Sequence, residues 1–244
     1  MKSLTKLFKG AGLLNILGMS VAFAAIYVIL VQVNYEWTFN KGIKDGDRIF
    51  AITYPSMYSE GKFSQNMCRP YSEAILQQSP TVESYGIING PWISSTYAGT
   101  EKNLNEIEIN FYQMTKETLD LFGFKPISGS FDGMDKEAKV AISKKIAEKF
   151  NLKVGDFITQ DKESSFKVLI AAIFEDMPEN CFLSNMEMIR CDGLEMYDID
   201  NWSEWSYRYY VKLKSANDKT AFENNAYQHG KKMLTDQINS NLAG

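Results

Sequence analysis

The run AGLLNILGMSVAFAAIYVILVQV, residues 11–33, decides how the rest of this 244-residue chain is read. Its 23 residues include only Asn15, Ser20 and Gln32 among polar types, and no other segment comes close to this apolar length. At about 1.5 Å per residue a helix over the run is about 35 Å long, enough to cross a hydrocarbon layer about 30 Å thick with some tilt. A single membrane-spanning helix is therefore expected over 11–33. The overall content of 45% hydrophobic and 23% charged residues looks soluble only because it averages this helix with a polar remainder.

Charge gives the helix a direction. Residues 1–34 carry Lys2, Lys6 and Lys9 and no acid, whereas the remaining 210 residues carry 23 bases against all 30 acids. The positive-inside rule then places the N-terminus in the cytoplasm and everything after about Asn34 outside. The acidic exterior argues against nucleic acid as a partner, because phosphate recognition needs a basic surface. A cleaved signal peptide is the competing reading, with Ala22-Phe23-Ala24 as an A-x-A-like site. The apolar run continues past that site through Ile26, Val28, Leu30 and Val33, which a retained anchor explains better.

Beyond the anchor, the spacing of apolar residues predicts a first strand around 49–53 and a helix from Pro70 to Pro80. A second strand follows over 82–88, closed by Asn89-Gly90-Pro91. Residues 105–114 alternate as a strand, 116–123 read as a helix stopped by Gly123, and 127–130 as a loop. A strand at 139–143 leads into a helix at 144–150, and 156–176 form a hairpin. The second arm of that hairpin, 166–174, is expected to be central and buried on both faces. A strand at 187–190, a helical turn near 194–197, a half-exposed strand at 205–214 and a polar helix over 218–239 complete the chain.

Chemistry is sparse. There is no G-x-x-x-x-G-K-[ST] phosphate loop and no G-x-S-x-G elbow. With His229 as the sole histidine and Cys68, Cys181 and Cys191 lacking a C-x-x-C pair, zinc has few ligands to draw on. Burial of the cysteines as small hydrophobes, or pairing of Cys181 with Cys191 in an oxidising compartment, are the two readings of those positions. Glu175, Asp176 and Glu179 flank Met177-Pro178. Paired carboxylates can do acid/base work, but beside a proline at a strand end they more commonly solvate or cap a turn. The aromatic group Trp202, Trp205, Tyr207, Tyr209 and Tyr210 reads as strand packing, with a binding surface as its alternative. No catalytic, cofactor-binding or metal-binding residue is assigned.

Four stretches carry a family resemblance. These are NILGMSVAFAAIYVILVQVNYEWTFNKGIKDGDRIFAI (15–52), FYQMTKETLDLFGFKPISGSF (111–131), KVAISKKIAEKFNLKVGDFI (139–158) and VLIAAIFEDMPENCFLSNMEM (168–188). In order and spacing, over about 13–215, the chain resembles the N-terminal part of MacB-like ABC transporter permeases of the FtsX superfamily. The resemblance implies an α+β chain: one transmembrane helix, then a two-lobed mixed α/β extracytoplasmic domain. In that division 1–34 are the cytoplasmic lead and helix, 35–91 with 180–244 form a porter-like lobe, and 92–179 form a smaller inserted lobe. It implies a bacterial inner-membrane location, an ABC ATPase subunit and further permease helices as partners, a homodimer, and a periplasmic protein or peptide contact. ATP is expected only on the separate ATPase. Such permeases return to the membrane with three further helices, whereas 218–244 are polar, so the sequence is expected to be a fragment or one subunit of a split permease. Two other functions remain beside this one: a membrane-tethered binding or sensor domain for a peptide or cell-envelope ligand, and an anchored hydrolase using Glu175 or Asp176.

Overall fold

The computed structural model describes residues 11–56, 60–194 and 198–243. Lys2, Lys6 and Lys9 and most of the turn expected near 194–197 lie outside the described residues. The apolar run forms helix α1 (Ala11–Thr38), which extends five residues beyond Val33. Residues 13–37 are all exposed, so no other described residue covers this apolar surface. A long helix that is apolar on every side needs a non-aqueous surrounding, and this one has the length of a membrane span.

After a left-handed turn at Asn40 (φ 62°) and another at Asp45 (φ 56°), a 3₁₀ turn (Gly46–Arg48) leads into strand β1 (Ile49–Ala51). Short strands β2 (Tyr54–Pro55) and β3 (Phe63–Ser64) pair with each other, and β4 (Asn66–Met67) precedes helix α2 (Arg69–Gln78), which has its proline in the first turn where no N–H is missed. Two long strands follow, β5 (Val82–Thr100) and β6 (Asn103–Met114). Next come helix α3 (Lys116–Phe122), strands β7 (Pro126–Gly129) and β8 (Lys139–Ser143), and helix α4 (Lys144–Phe150). Strands β9 (Phe157–Thr159), β10 (Val168–Phe174), β11 (Met188–Arg190) and β12 (Tyr207–Leu213) precede a second 3₁₀ turn (Ala216–Asp218) and helix α5 (Lys219–Ala243).

Ten of these strands share one hydrogen-bonded sheet, in the order β1-β12-β5-β6-β11-β8-β10-β7, with β4 added to β12 and β9 bonded to both β10 and β5. The β9 bonds close a circuit. From β5 the pairing passes through β6, β11, β8, β10 and β9 and returns to β5 at Ala98–Ile158. Strands β6–β11 and β8–β10 are parallel and the other pairs in the circuit antiparallel. The near half of β5 instead joins β12, β1 and β4 as an open sheet backed by α2 and α5.

Three apolar clusters fill this frame. One, built from Leu76, Ile87, Tyr209, Val211, Leu213 and Phe222 among others, lies under α2 and α5. A second, with Ile107, Ile109, Ile142, Ile146, Ile158 and Ile170, fills the closed circuit. The third, with Met114, Phe122, Phe124, Phe174, Cys181 and Tyr210, lies between them.

Four expectations are corrected. Asn89-Gly90-Pro91 does not end the second strand: the register with β6 shifts between Asn89 and Trp92 and β5 runs on. The interruption is a bulge, which tolerates proline's missing N–H, and the Arg208 guanidinium donates to the Gly90 carbonyl left over there. Residues 127–130 are not wholly loop, since 126–129 are an edge strand paired with β10, capped by proline and fully exposed. Strand β10 is paired along both edges, but only Val168, Ile170, Ala172 and Phe174 are buried; Ala171 and Ile173 are half-buried against the cores and Leu169 is exposed, the strand changing clusters where its register with β8 shifts after Ile170. Conversely β12 is less exposed than its alternation implies, since Tyr209 and Tyr210 are buried on opposite faces, each in a different cluster.

Candidate functional site

Where α1 leaves the apolar run and meets the sheet, a dense set of polar bonds holds the helix end. Thr38, the last residue of α1, accepts from the Asn180 side-chain amide twice, at its Oγ1 (2.8 Å) and at its carbonyl (3.1 Å). The Thr38 hydroxyl in turn donates to Asn34 O at 2.7 Å, so that its hydrogen stays in the helix and its lone pair faces Asn180. Asn40 returns the bond: its N–H donates to Asn180 O (2.9 Å) and its Oδ1 accepts from Phe182 N–H (3.0 Å). A helix end leaves its last carbonyls unpaired, and the loop before β11 supplies donors for one of them. The left-handed turn at Asn40 suits asparagine and swings that side chain onto the loop.

Behind this clamp the chain passes Gly42, where a Cβ would stand 2.8 Å from Pro178 Cγ, so only glycine allows this approach. It then reaches a four-residue ion network. Lys212 on β12 bonds Asp45 (2.9 Å) and Glu83 on β5 (3.1 Å), and Arg48 bonds Glu83 (2.5 Å) and Asp45 (3.3 Å). Arg48 also donates to the carbonyls of Leu213 and Lys214. The Lys212 ammonium holds both the Asp45 and the Glu83 carboxyl below the usual carboxylate range, with Arg48 adding to each. In return Asp45 and then Glu83 raise Lys212 above the usual lysine range.

Between clamp and network lies a cleft of about 430 Å³ lined by Asn40, Ile43, Phe122, Phe182, Arg208 and Tyr210. Its floor is an aromatic trio. Phe182 stacks on Tyr210 at 5.2 Å, and Phe122 meets both edge-on. The residues bonded to the end of α1 thus rest directly on β12 and α3. Neutral amides, paired ions and stacked rings make a rigid attachment.

The residues singled out in the sequence lie elsewhere. Glu175, Asp176 and Glu179 are exposed, and Asp176 Oδ1 accepts from Lys145 N–H (3.2 Å) at the start of α4, the capping contact expected of a turn carboxylate. His229 Nδ1 contacts Asn225 O one turn earlier on α5. All three cysteines are buried and free, so the Cys181–Cys191 pairing is not formed. Burial raises each thiol, Cys191 to about 12. Of the aromatic group, Tyr207, Tyr209 and Tyr210 are core, while half-buried Trp205 donates to Trp202 O and packs edge-on against Tyr54. Tyr209 also donates to Glu73, which pairs with buried Arg69 at 2.5 Å. Among the described residues no His, Cys, Asp and Glu side chains gather in threes as a metal ion would need. Thr38, Asn40, Asn180 and Lys212 were not singled out in the sequence: the clamp joins residues 142 apart, and only the polar turn N-K-G after α1 hinted at a fixed exit.

Three solved structures share this fold. A domain of a putative permease protein from Porphyromonas gingivalis superposes with a TM-score of 0.59 at 22% identity, over 77% of this chain and 86% of that one. The periplasmic region of MacB from Actinobacillus actinomycetemcomitans gives 0.51 at 15% identity, over 82% and 95%. The extracellular domain of the noncanonic ABC-type transporter YknZ from Gram-positive bacteria gives 0.52 at 13%, over 78% and 95%. At these identities the likeness is one of fold. No curated protein matches the sequence. The sequence pattern of the MacB-like periplasmic core domain runs through residues 13–227, from the apolar helix to the middle of α5, and the chain belongs to that family.

Proposed function

We propose that this chain is the membrane anchor and extracytoplasmic core of a MacB-like ABC transporter permease and works without catalysis, by passing movement of α1 into its sheet. The observation that carries this reading is the clamp. Four hydrogen bonds tie the last turn of α1 and Asn40 to the Asn180–Phe182 loop, and within ten residues of Thr38 the chain is pinned again through Asp45 and Arg48 to β5 and β12. A helix so attached does not tilt alone. An ATPase on the cytoplasmic side would move α1, and the exterior domain would deliver the movement to a periplasmic protein, peptide or other substrate. ATP belongs on that separate subunit. The lysines before α1 and the acidic exterior support a cytoplasmic N-terminus in the bacterial inner membrane.

The division into a porter-like lobe (35–91 and 180–244) and an inserted lobe (92–179) belongs to the same reading. The cluster under α2 and α5 draws only on the former, and the cluster inside the closed circuit draws on 92–179 with the single addition of Met188. Affinity purification of the full chain from native membranes in mild detergent, followed by mass spectrometry, tests the proposal. An ABC ATPase and a polypeptide supplying further membrane helices should be recovered in stoichiometric amounts. If the chain comes through alone while such an ATPase is present in the same extract, the reading is overturned in favour of a stand-alone tethered binding domain.

A further inference from the structure

Three large aromatic side chains surround the outer end of α1: Tyr35, Trp37 and Phe39 are 42%, 76% and 40% exposed. At about 100° per residue, Tyr35 and Phe39 lie within about 40° of each other, and Trp37 lies on the opposite side of the helix. The Tyr35 and Phe39 rings do pair, at 6.2 Å between centroids. Among the described residues the Trp37 indole has no hydrogen-bond partner, and Gln32 holds the Glu36 carboxylate one turn back towards the apolar run at 2.8 Å.

Aromatics on opposite sides of one helix do not suit a single protein partner, which would cover one side. They suit a surrounding that encloses the helix. Axial position agrees. The apolar run of 11–33 is centred on Ala22, so Tyr35 and Trp37 stand about 20 and 22 Å along the axis from its middle. With a tilt of about 20° Trp37 is about 21 Å from the bilayer centre, beyond a hydrocarbon half-thickness of about 15 Å and inside the headgroup layer that ends near 20–22 Å. Rings with an apolar body and a polar edge settle at that level.

We propose that Tyr35, Trp37 and Phe39 form an interfacial girdle seated in the lipid headgroup layer, which sets the depth of α1. Because the Asn180 clamp begins at Thr38, the girdle also seats the Pro178–Phe182 loop on the membrane surface. This inference rests on the reading of α1 as a membrane anchor, and the experiment separates the two. The full chain and its Trp37→Phe variant are placed in lipid nanodiscs whose acyl chains carry bromine either near the headgroup or near the chain end. The difference in tryptophan emission isolates Trp37, a change at an exposed site that leaves the fold alone. An Ile26→Trp variant in the Trp37→Phe background reports the middle of the span.

The Trp37 component should be blue-shifted from aqueous indole and lose most of its intensity to the shallow bromines, with weaker loss to the deep ones. Trp at position 26 should show the reverse order. If position 26 is quenched by deep bromines while Trp37 is untouched by either lipid, the anchor stands and the girdle is wrong, with protein or water around Trp37 instead. If neither position is quenched, the anchor reading itself is wrong and the girdle falls with it.

Discussion

Replacing Asn180 with alanine should loosen the exit of α1 without unfolding the domain. The change removes the two amide bonds to Thr38 and leaves the backbone bond from Asn40 N–H to Asn180 O in place. A hydrogen bond contributes a net of about 0.5–1.5 kcal/mol, and this pair is half-buried, so the loss is about 1–2 kcal/mol. Local opening governs amide exchange when it is cheaper than global unfolding, and that range corresponds to about 5- to 30-fold faster exchange. Hydrogen–deuterium exchange in detergent micelles should show the increase in peptides spanning 36–44 and 178–184, and none in those spanning 139–150. Asn40→Ala, which removes the acceptor for Phe182 N–H, should accelerate the same two peptides, and the double variant should fall short of the product of the single effects because both changes open one clamp. Unchanged exchange in both peptides, or equal acceleration across the whole domain, would falsify the assignment of Asn180 to the junction.

Other perturbations follow from the same geometry. Gly42→Val places methyl groups against Pro178 and should push the loop away, with a cost of about 1–3 kcal/mol visible as faster exchange in the same two peptides. Asp45 and Glu83 titrate below their ordinary values when folded, so their contribution is complete above the ordinary carboxylate range and is lost as pH falls through the depressed values. The exit segment should thus be unaffected between neutrality and about pH 5 and should loosen below about pH 4, a transition that Lys212→Met flattens. Cys191, buried with its thiol raised to about 12, should resist iodoacetamide at mildly alkaline pH and react only after denaturation, as intact-mass measurement can show.

Elements with a strong local signature were legible in advance. The apolar run gave α1, Ser143 and Asn151 bound α4 where the pattern places a helix, and Gly123 stops α3 in the left-handed conformation that glycine favours. The alternation at 105–114 reflects β6 facing a core with Ile107 and Ile109. What was illegible depends on distant pairing. Pro91 reads as a terminator because a proline normally ends a ladder, and only the bulge and Arg208 allow β5 to continue. The exposed segment at 126–129 has no hydrophobic alternation, and it is a strand solely because β10 has a free edge beside it. The site was less readable than the fold. Asn180 has no distinguishing context in Pro-Glu-Asn-Cys, and its role appears only when the end of α1 is brought beside it. The carboxylates at 175, 176 and 179, read mainly as turn caps, are exposed, and Asp176 accepts from Lys145 N–H in the first turn of α4.

Strand β5 belongs to both halves of the fold. Its 19 residues, about 63 Å long at 3.3 Å each, serve the open sheet with one half and the closed circuit with the other. The two ends of the domain therefore share a covalent beam. The ion network ties the open half to β12 through Glu83, and the ladder with β6 is interrupted between the two halves. That interruption is Asn89–Trp92, with Gly90 at φ +106° and the indole of Trp92 stacked on Phe111 at 4.9 Å. One covalent strand thus links the sheet that receives the end of α1 to the closed circuit, and the bulge is the one interruption in its ladder with β6.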